Sequence, residues 1–319
     1  MKGQGCRVKP MSRRLARGTV VTGKWNRRSY TIERLLGEGA NGIVYLVRSR
    51  RRLYAMKMGF DALDHQSEVN ALKTLDKHIR PHDPFLLDVD DYRTRNGSIP
   101  FYVMKYIEGK RIHEFLRSKG REWVYPVGRN LLERLNELHR HGFIFGDLKM
   151  ENVMVRAYGE VELIDYGGVT PLGQAVRQFT EIYDRGYWGG GSRTADEQYD
   201  LFSFAALFLQ LLYPDQHIKD PTTVLPQNRQ PLLLLEPLKR DHLYAPLFPI
   251  FKKMLEGRYA TSRQALAAWR EASMKAAQRG WTGASRTWVK RKNAMSPWLG
   301  SWLIASALGL VVTLYMLFQ

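Results

Sequence analysis

Two stretches hold the residue types that nucleotide chemistry needs. The first, RLLGEGANGIVYLV, contains Gly37-x-Gly39-x-x-Gly42-x-Val44, and it is followed one short turn later by LYAMKM with Lys57. Glycines so placed let backbone N–H groups approach a phosphate chain. A lysine one strand further on can reach the same phosphates. Glu68, in SEVNALKTL, is the natural partner to hold that ammonium in place. The second stretch, FGDLKMENV at 145–153, sets Asp147, Lys149 and Asn152 within six residues, and Asp165 follows in LIDYGG. It also raises a question of its own, since a glycine, Gly146, immediately precedes the aspartate.

The flanks say which elements carry these groups. Glycines of this spacing also occur in dinucleotide folds, where they follow a strand and open a helix. Here strand-like residues stand on both sides, TIERLL before and IVYLV after, so a hairpin is expected. Arg50 to Arg52 read as a turn, and LYAMKM resumes as a strand carrying Ala55 and Lys57. Glu68 belongs to a helix whose apolar side is Val69, Leu72 and Leu75. PFYVMKYIEGKRIHEFL then changes from a strand-like to a helical run across Glu108-Gly109, as a hinge between a small lobe and a larger helical one would.

With these pieces in order, the chain from about Tyr30 to Glu271 resembles the Hanks-type Ser/Thr protein kinases. Ala55-x-Lys57 matches the alanine and lysine of V-A-I-K. Phe145-Gly146-Asp147-Leu148-Lys149-Met150-Glu151-Asn152 matches H-R-D-L-x-x-x-N, and Asp165-Tyr166-Gly167 matches D-F-G. The resemblance implies an α+β, two-lobed fold with a β-rich N-lobe at 30–104 and a helical C-lobe at 109–271. It implies ATP and Mg²⁺ as cofactors and protein hydroxyls as substrates. Gly37, Gly39, Gly42 and Val44 would cover the nucleotide. Ala55 would leave room for adenine, Met104 would guard that pocket, and the backbone of Lys105 to Ile107 would bond the base edge. Asp147 would take or orient the acceptor's proton, Lys149 would neutralise the migrating phosphoryl, and Asn152 and Asp165 would give oxygens to Mg²⁺. Asp200 matches the aspartate that orients the catalytic loop from a buried helix.

The departures are informative. Gly146 replaces an arginine that in most kinases meets a phosphate on the activation loop, so activity is not expected to depend on loop phosphorylation through that arginine. Phe145 and Tyr166 replace His and Phe and keep the aromatic bulk. Thr180-x-x-Tyr183 fits the family's Thr-x-x-Tyr, yet A-P-E falls on Arg185-Gly186-Tyr187 and lacks its glutamate. Arg258, the expected partner of that glutamate, must then find another contact. Two other readings compete: a sugar or lipid kinase of the aminoglycoside or RIO type, which also places Gly before Asp, and an inactive scaffold. The full glycine loop, Lys149 and Asp200 favour a protein kinase. The presence of Lys57, Asp147, Asn152 and Asp165 argues against an inactive one.

Charge and the chain ends carry the remaining expectations. The formal net charge of +18 implies attraction to polyanions. It concentrates in a basic N-terminal segment, 1–29, in the knot Arg48 with Arg50-Arg51-Arg52, and in a juxtamembrane linker, 272–297. Trp281 and Trp288 are interleaved with Arg279, Arg286, Lys290 and Arg291, a pattern suited to DNA. Between the two polyanions, anionic lipid is favoured for 286–292 and DNA for the N-terminal segment. Residues 298–318, WLGSWLIASALGLVVTLYMLF, hold no charge and would cover roughly 30 Å as a transmembrane helix. Lys290 to Lys292 abut this span and place the kinase domain on the cytoplasmic side of a cell membrane. Ser301, Ala305 and Gly309 share one helical face and offer a homodimer contact. The single cysteine, Cys6, excludes an intrachain disulfide. The layout resembles the short YabT-type kinases of spore-forming bacteria.

Overall fold

The computed structural model describes residues 14–278, apart from 40–41, 80, 96, 215–223 and 242–243. Six strands, β1 (Val20–Thr22), β2 (Ser29–Gly39), β3 (Gly42–Ser49), β4 (Arg52–Gly59), β5 (Leu86–Thr94) and β6 (Gly97–Lys105), form one antiparallel sheet in the order β1-β2-β3-β4-β6-β5. Helix α1 (Ala62–Ile79) lies between β4 and β5 in sequence. Asp61 caps it, accepting from Leu63 N at 2.7 Å and Asp64 N at 3.2 Å. Its buried face is Glu68, Val69, Leu72 and Leu75, the apolar side read from the sequence with the glutamate turned inward.

After β6 the chain becomes helical, as the change at Glu108-Gly109 led us to expect. Here follow β7 (Lys110–Arg111), α2 (Ile112–Lys119), α3 (Val124–Arg140) and the short strands β8 (Phe143–Ile144), β9 (Val153–Val155), β10 (Val161–Leu163) and β11 (Thr170–Pro171). Helices α4 (Glu197–Leu212), α5 (Phe248–Leu255) and α6 (Ser262–Gln278) complete this lobe. Every residue of α4 from Tyr199 to Leu209 is buried, which suits a helix that is apolar on all faces save for Asp200 and Ser203. Trp269 of α6 is fully buried against Phe204, Phe208 and Phe251, and its indole N–H donates to the Tyr125 carbonyl at 2.9 Å. A Cβ on Gly128 would stand 2.2 Å from that indole, so α3 and α6 approach closely only because position 128 has no side chain.

Both expected domain boundaries move outward. Residues 20–29, read as part of a separate basic segment, supply β1 and its turn, and Val20 to Thr22 pair with Thr31 to Ser29. Carboxylates about sixty residues away hold them. Asp90 accepts from the backbone of Trp25 (2.9 Å) and Asn26 (2.7 Å), and Asp88 accepts from Asn26 Nδ2 and the Tyr30 hydroxyl, both at 2.7 Å. At the other end, α6 continues past Glu271, burying Ala272 and Ala276. Among the described residues no helix is long and apolar enough to cross a membrane. The segments 279–297 and 298–318, with the expected linker and span, lie outside the described residues.

Candidate active site

The sheet fixes Lys57 by register. It faces Val44 of β3 on one side and Tyr102 of β6 on the other, while Ala55 faces Met104. The ammonium is buried and sits 2.7 Å from Glu68 Oε1 and 3.3 Å from Asp165 Oδ1. Burial works against that charge, but the carboxylates of Asp165 and Glu68 prevail and raise its pKa, so Lys57 is a firm cation. The Tyr102 hydroxyl donates to Glu68 Oε2 at 3.1 Å and fixes the second oxygen. Strand, helix α1 and the D-Y-G turn thus meet at one ammonium.

Asp165 reaches it from a left-handed backbone, φ 62°, a conformation an aspartate adopts only at some cost. The following Tyr166 is locked edge-on to Phe145 and Phe85, at ring-centre distances of 5.8 and 5.4 Å. The two aromatic replacements noted in the sequence therefore pack on one another.

The catalytic-loop residues converge as well. Asp147 accepts from Lys149 Nζ at 2.5 Å and from the Thr180 hydroxyl at 3.1 Å. Asn152 Nδ2 donates to the Asp147 carbonyl at 2.9 Å, which commits its nitrogen and leaves Oδ1 as the acceptor end of the amide. Asp200, fully buried at the start of α4, accepts from the backbone N–H groups of Phe145 (2.7 Å) and Gly146 (2.9 Å) and from His139 Nε2 (2.9 Å). His139 Nδ1 stands 3.4 Å from Glu197, an ionic contact rather than a hydrogen bond. Burial opposes the imidazolium, yet Asp200 and then Glu197 lift its pKa to about 9. Neither His139 nor its role was read from the sequence, because its partners lie about sixty residues away.

Gly146 has a steric reason. Its φ is +81°, and a Cβ there would stand 2.4 Å from the Gly168 carbonyl oxygen. Gly168 in turn is packed on the catalytic loop, where an added Cβ would meet Asp147 Cβ at 2.9 Å. The catalytic loop and the D-Y-G-G turn therefore touch backbone to backbone.

The activation segment is docked by backbone pairing and by arginine contacts. Residues 173–176 form a short ladder with 193–195: Gly173 N to Ala195 O at 2.8 Å, Ala195 N to Gln174 O at 2.7 Å, Val176 N to Arg193 O at 2.9 Å. Arg177 donates to Ser67 of α1 at 3.0 Å. At the position of the missing glutamate, the buried Tyr187 ring is covered by the Arg229 guanidinium at 3.8 Å. Arg258, left without that glutamate, is exposed and finds its other contact in Glu256 at 3.0 Å. Arg229 was not read from the sequence, since it sits in an irregular stretch where no motif marks it.

Could these groups hold a metal? Among the described residues no three His, Cys, Asp or Glu side chains are arranged to cage an ion. Asp165, whose side chain is partly exposed, and Asn152 offer two protein oxygens. That is the number expected when phosphates and water complete an Mg²⁺ shell, so the donor set fits.

The model of the protein kinase domain matches residues 30–239. The chain belongs to the protein kinase family. It is 36% identical to the serine/threonine-protein kinase YabT of Bacillus subtilis over 86% of this chain and 78% of that protein. It is 28% identical to the probable serine/threonine-protein kinase CPE1738 of Clostridium perfringens, over 43% of this chain and only 21% of that one. The solved structure of vaccinia related kinase 3 superimposes with a TM-score of 0.61 over 87% of this chain and 95% of that chain, at 14% identity, a likeness of fold alone. The enzyme is an ATP-dependent serine/threonine protein kinase of the bacterial Hanks type, similar to YabT.

Proposed function

We propose that this kinase transfers the γ-phosphoryl of ATP to protein hydroxyls with Asp147 as the group that orients and deprotonates the acceptor. The observation that carries this reading is the pair of hydrogen-bonded groups, Lys57 with Glu68 and Asp165 and Asp147 with Lys149 and Asn152, joined where Ile164 N donates to the Asn152 carbonyl at 2.9 Å. Lys57, fixed by Glu68, binds phosphate oxygens. Lys149, already on Asp147, offsets the charge on the phosphoryl as it moves. Mg²⁺ on Asn152 and Asp165 would supply charge neutralisation at the phosphates. Gly37, Gly39, Gly42 and Val44 cover the nucleotide, and Ala55, Met104 and the backbone of Lys105 to Ile107 receive the base.

Radiolabelled ATP supplied to the full chain should label serine or threonine in a protein acceptor. Asp147→Asn should lower that labelling by at least a hundredfold, in line with loss of a general base. Equal labelling by Asp147→Asn, or transfer to sugars and lipids but not to protein, would refute the reading.

The finer proposal concerns place and control. An uncharged run at 298–318 beside Lys290 to Lys292 supports a single-pass anchor with the kinase domain cytoplasmic. The +18 charge, with Arg50 and Arg51 projecting from the β3–β4 turn, supports DNA as a ligand that gathers molecules for phosphorylation in trans. For 286–292, anionic lipid is the competing partner. Autophosphorylation that is indifferent to DNA at low salt would exclude DNA control. Of the hydroxyls near the activation segment, Thr170 is fully buried and Thr180 is bonded to Asp147, whereas Ser192 and Thr194 are exposed and are the candidates for autophosphorylation.

A further inference from the structure

The missing glutamate at Tyr187 leaves the substrate-side loop without its usual anchor, and a different carboxylate occupies the middle of that loop. Asp184 is fully buried and accepts four hydrogen bonds. They come from the backbone of Gly186 (3.1 Å) and Tyr187 (2.9 Å), from the Tyr199 hydroxyl (2.9 Å), and from Arg193 Nε (2.8 Å), whose Nη2 also stands 2.7 Å from the same carboxylate oxygen, Oδ2. A buried carboxylate persists only when its oxygens are satisfied in this way: Arg193 holds Oδ2, while Gly186 N–H and the Tyr199 hydroxyl hold Oδ1.

What the pair fixes lies on both sides. Tyr199 directly precedes Asp200, which holds the N–H groups of Phe145 and Gly146 in the catalytic loop. On the outer side, the Arg193 guanidinium lies 4.2 Å over the ring of Phe179. Phe179 is 41% exposed, and the next residue, Thr180, donates to Asp147. A Cβ at Gly186 would come within 3.1 Å of Arg193, so this route for the arginine depends on glycine at 186. An exposed aromatic ring is thus held rigidly one residue from the group that contacts the proposed base.

We propose that Asp184 is a positioning residue for the protein acceptor. Through Arg193 it fixes Phe179 as an apolar wall beside Asp147, and the favoured acceptor carries an apolar residue next to the phosphorylated serine or threonine. The arginine is spent on Asp184 and on the ring face, so the surface shown to the acceptor is the aromatic edge rather than a free cation. The inference rests on the catalytic reading above.

The test uses the full chain, ATP and a degenerate peptide library with one central serine or threonine. Wild type should prefer apolar residues flanking the acceptor, and Phe179→Ala should flatten that preference. Asp184→Asn and Arg193→Gln should raise the peptide KM at least tenfold more than the KM for ATP. Should either variant not fold, Phe179→Ala decides, because its ring is exposed and its loss leaves the buried Asp184 with all its donors. Proportional changes in both KM values, no apolar preference in wild type, or a preference unchanged in Phe179→Ala would each overturn the proposal. Failure of the catalytic reading would look different: wild type would label no peptide at all.

Discussion

At Gly146 the backbone φ of +81° and the Gly168 carbonyl, 2.4 Å from where a Cβ would sit, leave one residue type that fits. Restoring the family's arginine there would not restore the family's regulation. The left-handed backbone alone costs an L-residue about 1–2 kcal/mol. The steric overlap falls on Gly168, and behind Gly168 stands Asp147. We therefore expect Gly146→Ala to fold with its melting temperature a few degrees lower, while kcat falls at least tenfold because the strain is passed to the base. Gly146→Arg should be as impaired and should gain nothing from phosphorylation of the loop. A Gly146→Ala enzyme with wild-type kcat would show that the contact is unimportant. Residues of this kind mark the limit of what the sequence discloses. Lys57, Asp147, Asn152 and Asp165 are legible because phosphoryl transfer fixes both their types and their order. The reason for Gly146 is a backbone contact with a turn twenty-two residues on, and no local pattern encodes it. Asp184 and His139 were invisible for the same reason, since each acts through partners that only folding brings near.

Between elements, the contact with most consequence joins α3 to α4. His139 on α3 lies between Asp200 and Glu197 on α4, and Asp200 in turn holds the catalytic loop. The imidazole pKa rises from 6.5 to about 9 on folding. The stabilisation it brings is complete below pH 6.5 and is lost as pH rises through 9. At 1.36 kcal/mol per unit this amounts to about 3 kcal/mol. Glu197, held down to about 2 chiefly by its contact with His139, works in the opposite sense: its contribution is present above pH 4.5 and lost as pH falls through 2. Denaturant unfolding of the wild type should therefore weaken between pH 6.5 and 9.5, and that slope should be much flatter in His139→Gln. Parallel slopes would mean that His139 does not carry the proton. The limits of the elements were less legible than their existence. Helix α6 continues its buried positions, Ala265, Trp269, Ala272 and Ala276, at helical spacing, so its true end could have been read there. Strand β1 could not, because three residues, Val20 to Thr22, set among scattered Lys and Arg resemble a solvated tail until Asp88 and Asp90 are seen to hold the turn that follows.

At the scale of the whole molecule the question is where a net charge of +18 acts, and the structure changes how it should be asked. Deleting residues 1–29 would remove β1 and strip Asp88 and Asp90 of their donors on Trp25 and Asn26, so lost DNA binding in such a deletion could equally report a damaged lobe. The β3–β4 turn offers a cleaner test. Arg50 and Arg51 form its two central residues, with φ of 45° and 68°, between Ser49 and Arg52 of the flanking strands. Positive φ at both positions is the turn that favours Asn-Gly, and arginine is a poor fit to it. Replacing the pair as Arg50→Asn/Arg51→Gly relieves backbone strain and removes two exposed cations in one step. Stability should rise by about 1 kcal/mol. If DNA engages this surface, affinity should fall, and the slope of log affinity against log salt should shrink by up to about 2, close to one unit per lost phosphate contact. A fold defect would lower stability and binding together, whereas a charge effect moves them in opposite directions. A variant that is more stable and binds duplex DNA with unchanged affinity and salt slope would place the polyanion site elsewhere on the chain.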